Sequence, residues 1–142
     1  MRVLIAVDGS KNSLDAVQCL IDHADWYRAK PEVELLTVHL PVPKLPRMGM
    51  AVSKQQIQKY YDEEGEGRLA AARRRLDAAG IRYKATVLVG PVAETIVKRA
   101  KDAGCDLIYI GTRGMTEVGK ALMGSTATKV LHIADTPVLV VR

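Results

Sequence analysis

A chain of 142 residues, 48% of them apolar, is long enough for one domain with a full core. Its 21 basic and 16 acidic residues leave a charge of +5. The basic residues are scattered rather than banded, so no nucleic-acid partner is signalled, and no apolar run approaches the ~20 residues of a membrane span.

The opening Val3–Val7 is a continuous apolar run. Asp8 cuts it and no cleavage-type sequence follows, so it reads as a buried strand and not a leader. Asp8-Gly9-Ser10 is a turn with Ser10 as helix N-cap. Leu14, Val17, Leu20, Ile21 and Ala24 then keep helical spacing to about Trp26. Val33–Leu40 is a second buried strand. Pro41, Pro43 and Pro46 exclude regular structure after it, and the loop runs to about Ser53. A long helix is predicted over 54–79, with Ile57, Tyr61, Leu69, Ala72 and Leu76 as its buried stripe and Gly80 as its end.

Residues 82–89 alternate apolar and polar, as in an outer strand. Pro91 is expected at the first position of the next helix, whose Val92, Ile96, Val97, Ala100 and Ala103 face inward. Leu107–Ile110 is a strand, 124–134 a helix, and Pro137–Val141 a last strand. Strands alternating with helices imply an α/β fold: one doubly wound, Rossmann-like domain over 1–142. Its five-stranded parallel sheet has order 3-2-1-4-5, with helices on both faces.

In such sheets ligands sit beyond the strand C-termini where the winding reverses, here between strands 1 and 4. Asp8-Gly9-Ser10 follows one of those ends and Gly111-Thr112-Arg113-Gly114 the other. Gly111, Gly114 and Gly124 leave the backbone open to an anion. Ser125 and Thr126 start a helix whose free N–H groups suit phosphate. Val38 can pack on a base, and Asp8 can accept from a ribose hydroxyl or an adenine amino group. These features together describe an adenine nucleotide.

The pattern Gly111-x2-Gly114-x9-Gly124-Ser125 resembles the ATP-binding glycine motif of the universal stress protein family. The start Val-Leu-Ile-Ala-Val-Asp8-Gly-Ser10 and the end Thr-Pro-Val-Leu-Val-Val-Arg142 are similar to that family as well. The resemblance implies that Ala6, Val7, Asp8 and Val38 surround adenine and ribose. It implies that Gly111, Gly114, Gly124, Ser125 and Thr126 hold the phosphates of ATP or AMP. Arg113 is a candidate phosphate contact from its place in the loop, and Mg²⁺ would come on the phosphates and not in a protein cage.

Other patterns read as structural. Gly114 to Ala121 nearly spells a phosphate-binding P-loop, but Ala121 stands where a hydroxyl must hold Mg²⁺. His23, His39 and His132 have no metal spacing, Ser10 and Ser125 lack a nucleophile elbow, and Arg73-Arg74-Arg75 reads as a solvated helix face. Cys19 and Cys105 form no CxxC or zinc spacing, which fits a reduced, cytoplasmic protein.

The all-apolar strand Val138–Val141 lies at the sheet's edge and invites a two-fold dimer. Universal stress proteins dimerise in a similar way. The reading that follows is a regulatory nucleotide-dependent homodimer, with an unidentified protein partner sensing the loop at 41–53. No residue reads as a strong general base, so hydrolysis is slow at most; Ser125, Thr126 or Thr116 are the candidates for autophosphorylation. The competing readings are a nucleotide-free dimeric interaction module and an ATP-cleaving enzyme on the same sheet.

Overall fold

The computed structural model describes residues 1–43, 52–112 and 123–142. The elements run β1 (Arg2–Ala6), α1 (Lys11–Asp22), β2 (Glu32–His39), α2 (Lys54–Ala78), β3 (Tyr83–Val89), α3 (Val92–Asp102), β4 (Leu107–Gly111), α4 (Ser125–Ile133) and β5 (Val138–Val141). All strand pairs are parallel, in the order β3-β2-β1-β4-β5 expected from the alternation of elements.

The period of two along each central strand divides the core between the two faces. Val3, Ile5, Val7, Val33, Leu35 and Tyr109 pack in one cluster with Val17 and Leu20 of α1 and Leu69, Ala72 and Leu76 of α2. Leu4, Leu36, Val38, Ile108 and Ile110 pack in the other, with Ile96 and Ala100 of α3 and Val130 of α4. Burial on both faces is why these strands read as unbroken apolar runs.

Several boundaries differ from the sequence reading. Helix α1 stops at Asp22, not Trp26, and a 3-10 turn over Ala24–Trp26 follows. His23 ends α1: its backbone N–H donates to Cys19 O, and its ring nitrogen Nδ1 also lies 2.8 Å from that carbonyl. Pro91 is the N-cap of α3, not its first residue, with extended ψ of 123°. Gly124 likewise stands just outside α4, as its N-cap.

Along α2 the buried residues are Tyr61, Gly65, Leu69, Ala72 and Leu76, while Ile57 is only partly covered. Twenty-five residues make a helix of about 37 Å, longer than the roughly 26 Å of the eight-residue β2, so its first turns overhang the sheet. Gly65 lets α2 lie close on β3: a Cβ there would fall 2.6 Å from Val87 Cγ2. On β3, Tyr83, Ala85 and Val87 face one cluster as the alternation requires, but Val89 is exposed and Leu88 packs into the opposite cluster.

The arginine run is a solvated face only in part. Arg73 makes two hydrogen bonds to Glu66, at 2.7 and 2.9 Å, and Arg75 donates to Leu14 O at 3.0 Å; only Arg74 of the three is fully exposed. Two of the three are thus tied to α2 itself or to α1. Among the described residues no helix is long and apolar enough to cross a membrane.

Candidate functional site

Because β1 ends at Ala6 while β2 runs on to His39, a crevice opens above β1 and β4, between the C-terminal halves of β2 and β4. A cavity of about 220 Å³ lies there. Leu36 and Val38 wall it from β2, Val92 and Ile96 from α3, and Ile110 and Gly111 from β4. Ala6, Val7 and Asp8 close it below, and Gly124, Ser125 and Thr126 form its far side.

Asp8 has two tasks in this arrangement. Its Oδ1 accepts the Ser10 N–H at 2.9 Å and so closes the turn before α1. Ser10 Oγ in turn accepts the Ser13 N–H, and Ser13 Oγ donates to Ser10 O at 2.9 Å. Gly9, at φ +85°, supplies the left-handed step that this turn needs. The second carboxylate oxygen of Asp8 has no partner among the described residues. Asp8 is the one ionisable group among the described residues lining the cavity.

Helix α4 begins against the same cavity without a side-chain cap. Gly124 has no side chain to offer, so the N–H groups of the first turn have no intrahelical partner. Gly124 is itself held by its N–H donating to Thr112 O at 2.6 Å, and Thr112 N–H donates to Val141 O. The start of α4 is thereby fixed to the ends of β4 and β5. Its free donors and the positive end of its dipole face a space where the described residues place no cation.

Gly111 is a glycine for a reason the sequence reading did not contain. A Cβ on it would lie 2.5 Å from Asn12 O and 2.7 Å from the Asn12 carbonyl carbon. The first turn of α1 rests directly on the end of β4 there.

On the other face of β2, His39 is buried with its Nε2 unpartnered and its ring 5.6 Å from that of Tyr61. Burial, and then the Arg68 charge, hold its imidazole below the usual value, with Glu64 opposing. Tyr61 Oη accepts the Val42 N–H at 2.7 Å and ties down the chain as it leaves β2. Arg68 reaches Val38 O at 3.4 Å.

The whole chain, residues 1–142, matches the universal stress protein family. A universal stress protein of Methanocaldococcus jannaschii is 32% identical over 141 residues, which cover 99% of this chain and 81% of the relative. The chain belongs to the universal stress protein family. Its fold is shared by a universal stress protein solved in complex with cAMP, at TM-score 0.68 and 24% identity, covering 100% of this chain and 96% of that one. It is also shared by a family member from Arabidopsis thaliana solved with AMP bound, at TM-score 0.69 and 15% identity, covering 99% and 90%.

Eight of the residues singled out from sequence line this cavity: Ala6, Val7, Asp8, Val38, Gly111, Gly124, Ser125 and Thr126. Arg113 and Gly114 lie outside the described residues, as do Thr116 and the near P-loop. Thr112 belongs to the loop expected at the crevice, whereas Ser13, Leu36, Val92, Ile96, Ile110 and Ala127 were not assigned to it from sequence. Leu36 could have been found, because it shares Val38's face at a spacing of two. Val92 and Ile96 were expected to face inward but only as core. Among the described residues no three His, Cys, Asp or Glu side chains gather to hold a metal, and burial pushes the Cys105 thiol above its ordinary value.

Proposed function

We propose that this chain is a cytoplasmic, adenine-nucleotide-binding universal stress protein, a single domain that acts by regulation and not by turnover. The observation that carries the reading is the uncapped start of α4 opening into a crevice walled by Leu36, Val38, Val92, Ile96 and Ile110, in which Asp8 is the one carboxylate among the described residues. Ala6, Val7 and Val38 pack on the base. The free oxygen of Asp8 accepts from a ribose hydroxyl, and the amides of Ser125 and Thr126 hold the phosphates, with the bare backbone of Gly124 and Gly111 beside them. Arg113 and Gly114 belong to the same phosphate loop on the strength of the motif alone, and Mg²⁺ rides on the phosphates. The relatives solved with cAMP and AMP support an adenine ligand.

Hydrolysis is slow in this reading. Asp8 is committed through Oδ1 to its own turn, and no second acid or base lines the described cavity. The Ser125 and Thr126 hydroxyls are the described candidates for self-phosphorylation. Nucleotide acts on an unidentified protein partner that reads the loop at 41–53, of which residues 44–51 lie outside the described residues. Equilibrium dialysis with labelled ATP and AMP tests the ligand, with GTP as control. Retention of ATP or AMP but not GTP is expected; failure to retain either adenine nucleotide at millimolar concentration refutes the reading.

The homodimer belongs to the same proposal. β5 is an outer strand of four apolar residues, each only half-buried, and an edge of that kind recruits a second strand. Val140→Pro removes an edge N–H and is expected to give monomer or aggregate by light scattering. An unchanged dimer would place the interface elsewhere.

A further inference from the structure

At the opposite end of the sheet, where the strands begin, lies a groove of about 490 Å³. Its floor is Glu34, a carboxylate on an inner strand and only 5% exposed. Glu34 Oε1 accepts from Arg99 Nε at 2.8 Å and from Thr86 Oγ1 at 2.8 Å, and it lies 2.7 Å from a second Arg99 nitrogen. All these contacts fall on one oxygen. Among the described residues nothing donates to Oε2, yet Oε2 is not one of their sealed, partnerless polar atoms. It is therefore reachable, and the groove that Glu34 lines is the way to it.

The rim carries the opposite charge. Lys84 on β3 is the register partner of Glu34, on a neighbouring strand about 4.8 Å away, and it makes no ion pair among the described residues. Arg2 and Arg82 share a single carboxylate, Glu32, at 3.1 and 3.4 Å, and the Arg82 side chain is 85% exposed. The groove thus holds a buried Glu34–Arg99 pair with one carboxylate oxygen unused, and beside it Arg2, Arg82 and Lys84 outnumber Glu32 and Asp102, the latter paired with Lys98. A simple anion meets repulsion from Glu34, and a simple amine meets it from the rim. A small molecule carrying both charges satisfies the two together.

We propose that this groove binds a free amino acid as its zwitterion, with the ammonium on Glu34 Oε2 and the carboxylate against Lys84 and Arg82. The site shares no lining residue with the cavity above β1 and does not rest on the nucleotide reading.

The test is a titration of ¹⁵N-labelled protein, read by amide chemical shifts. The probes are L-alanine and L-glutamate, with propionate and ethylamine as single-charge controls. Saturable shifts at Glu34, Lys84 and Arg99 with at least one amino acid are expected at millimolar concentration, with both controls roughly tenfold weaker or worse. Glu34→Gln risks the fold by leaving Arg99 unpaired, so Lys84→Glu on the exposed rim serves as the variant. It keeps the spectrum of a folded chain and loses the shifts. The absence of shifts with both amino acids overturns the proposal. So does a response to propionate equal to that of alanine, or binding undiminished in Lys84→Glu.

Discussion

Ser125→Pro is expected to leave the fold standing while weakening ATP binding by one to two orders of magnitude. Ser125 is the first residue of α4, the position at which a helix has no use for its own N–H. Proline fits there because its fixed φ is helical and because Gly124 before it is already extended, at φ −61° and ψ 152°. The helix's own bonds begin with Thr128 N–H to Gly124 O, which the substitution does not touch. A phosphate held by this turn, however, loses a donor. A hydrogen bond to a charged group contributes about 1.5–3 kcal/mol, which converts to the loss stated. Calorimetric titration with ATP, beside a circular dichroism melt, measures both halves of the expectation. Unchanged affinity with an unchanged melt would show that the start of α4 does not hold the phosphates. Ser125→Ala, which keeps the N–H, separates the amide from the hydroxyl.

The order of the sheet was legible because it depends on coarse features. The runs at 3–7 and 107–110 are too apolar for anything but strands covered on both faces, and turn residues stand between the elements. Ser10 was legible as a cap because capping is local chemistry between a hydroxyl and an N–H three residues on. The errors arose where a tertiary or backbone detail decided. Ala24 keeps helical spacing with Ile21, but spacing does not show that the helix has already closed on His23. Pro91 suits the first helical position by its φ, yet its ψ of 123° puts it outside. Three consecutive arginines look alike in sequence until Leu14 O of α1 is brought to Arg75. Glu34 is the clearest case. A glutamate within 33–40 interrupts an apolar run, and only Arg99, arriving from a helix 65 residues away, and Thr86 on the next strand explain its burial.

Gly111→Ala is expected to destabilise the chain by about 2–3 kcal/mol, the cost of overpacking a filled contact. The added methyl would meet Asn12 O at 2.5 Å and Ser13 N at 3.1 Å, backbone atoms that give way only if the start of α1 moves. That turn is not free to move cheaply. Asp8, Ser10 and Ser13 are joined in it, and α1 is packed along β4 through Val17, Leu20 and Tyr109. At about 2–4 °C per kcal/mol for a chain near this size, the melting temperature falls by roughly 5–10 °C. The same substitution at Gly67 is the control. Gly67 lies within α2, and a Cβ there has nothing within 4 Å, so Gly67→Ala should raise stability by up to about 1 kcal/mol through helix propensity. Opposite signs from one chemical change would show that the leading glycine of the motif is set by the approach of α1. If instead Gly111→Ala melts like the parent and loses ATP, the glycine serves the ligand directly and the packing argument fails.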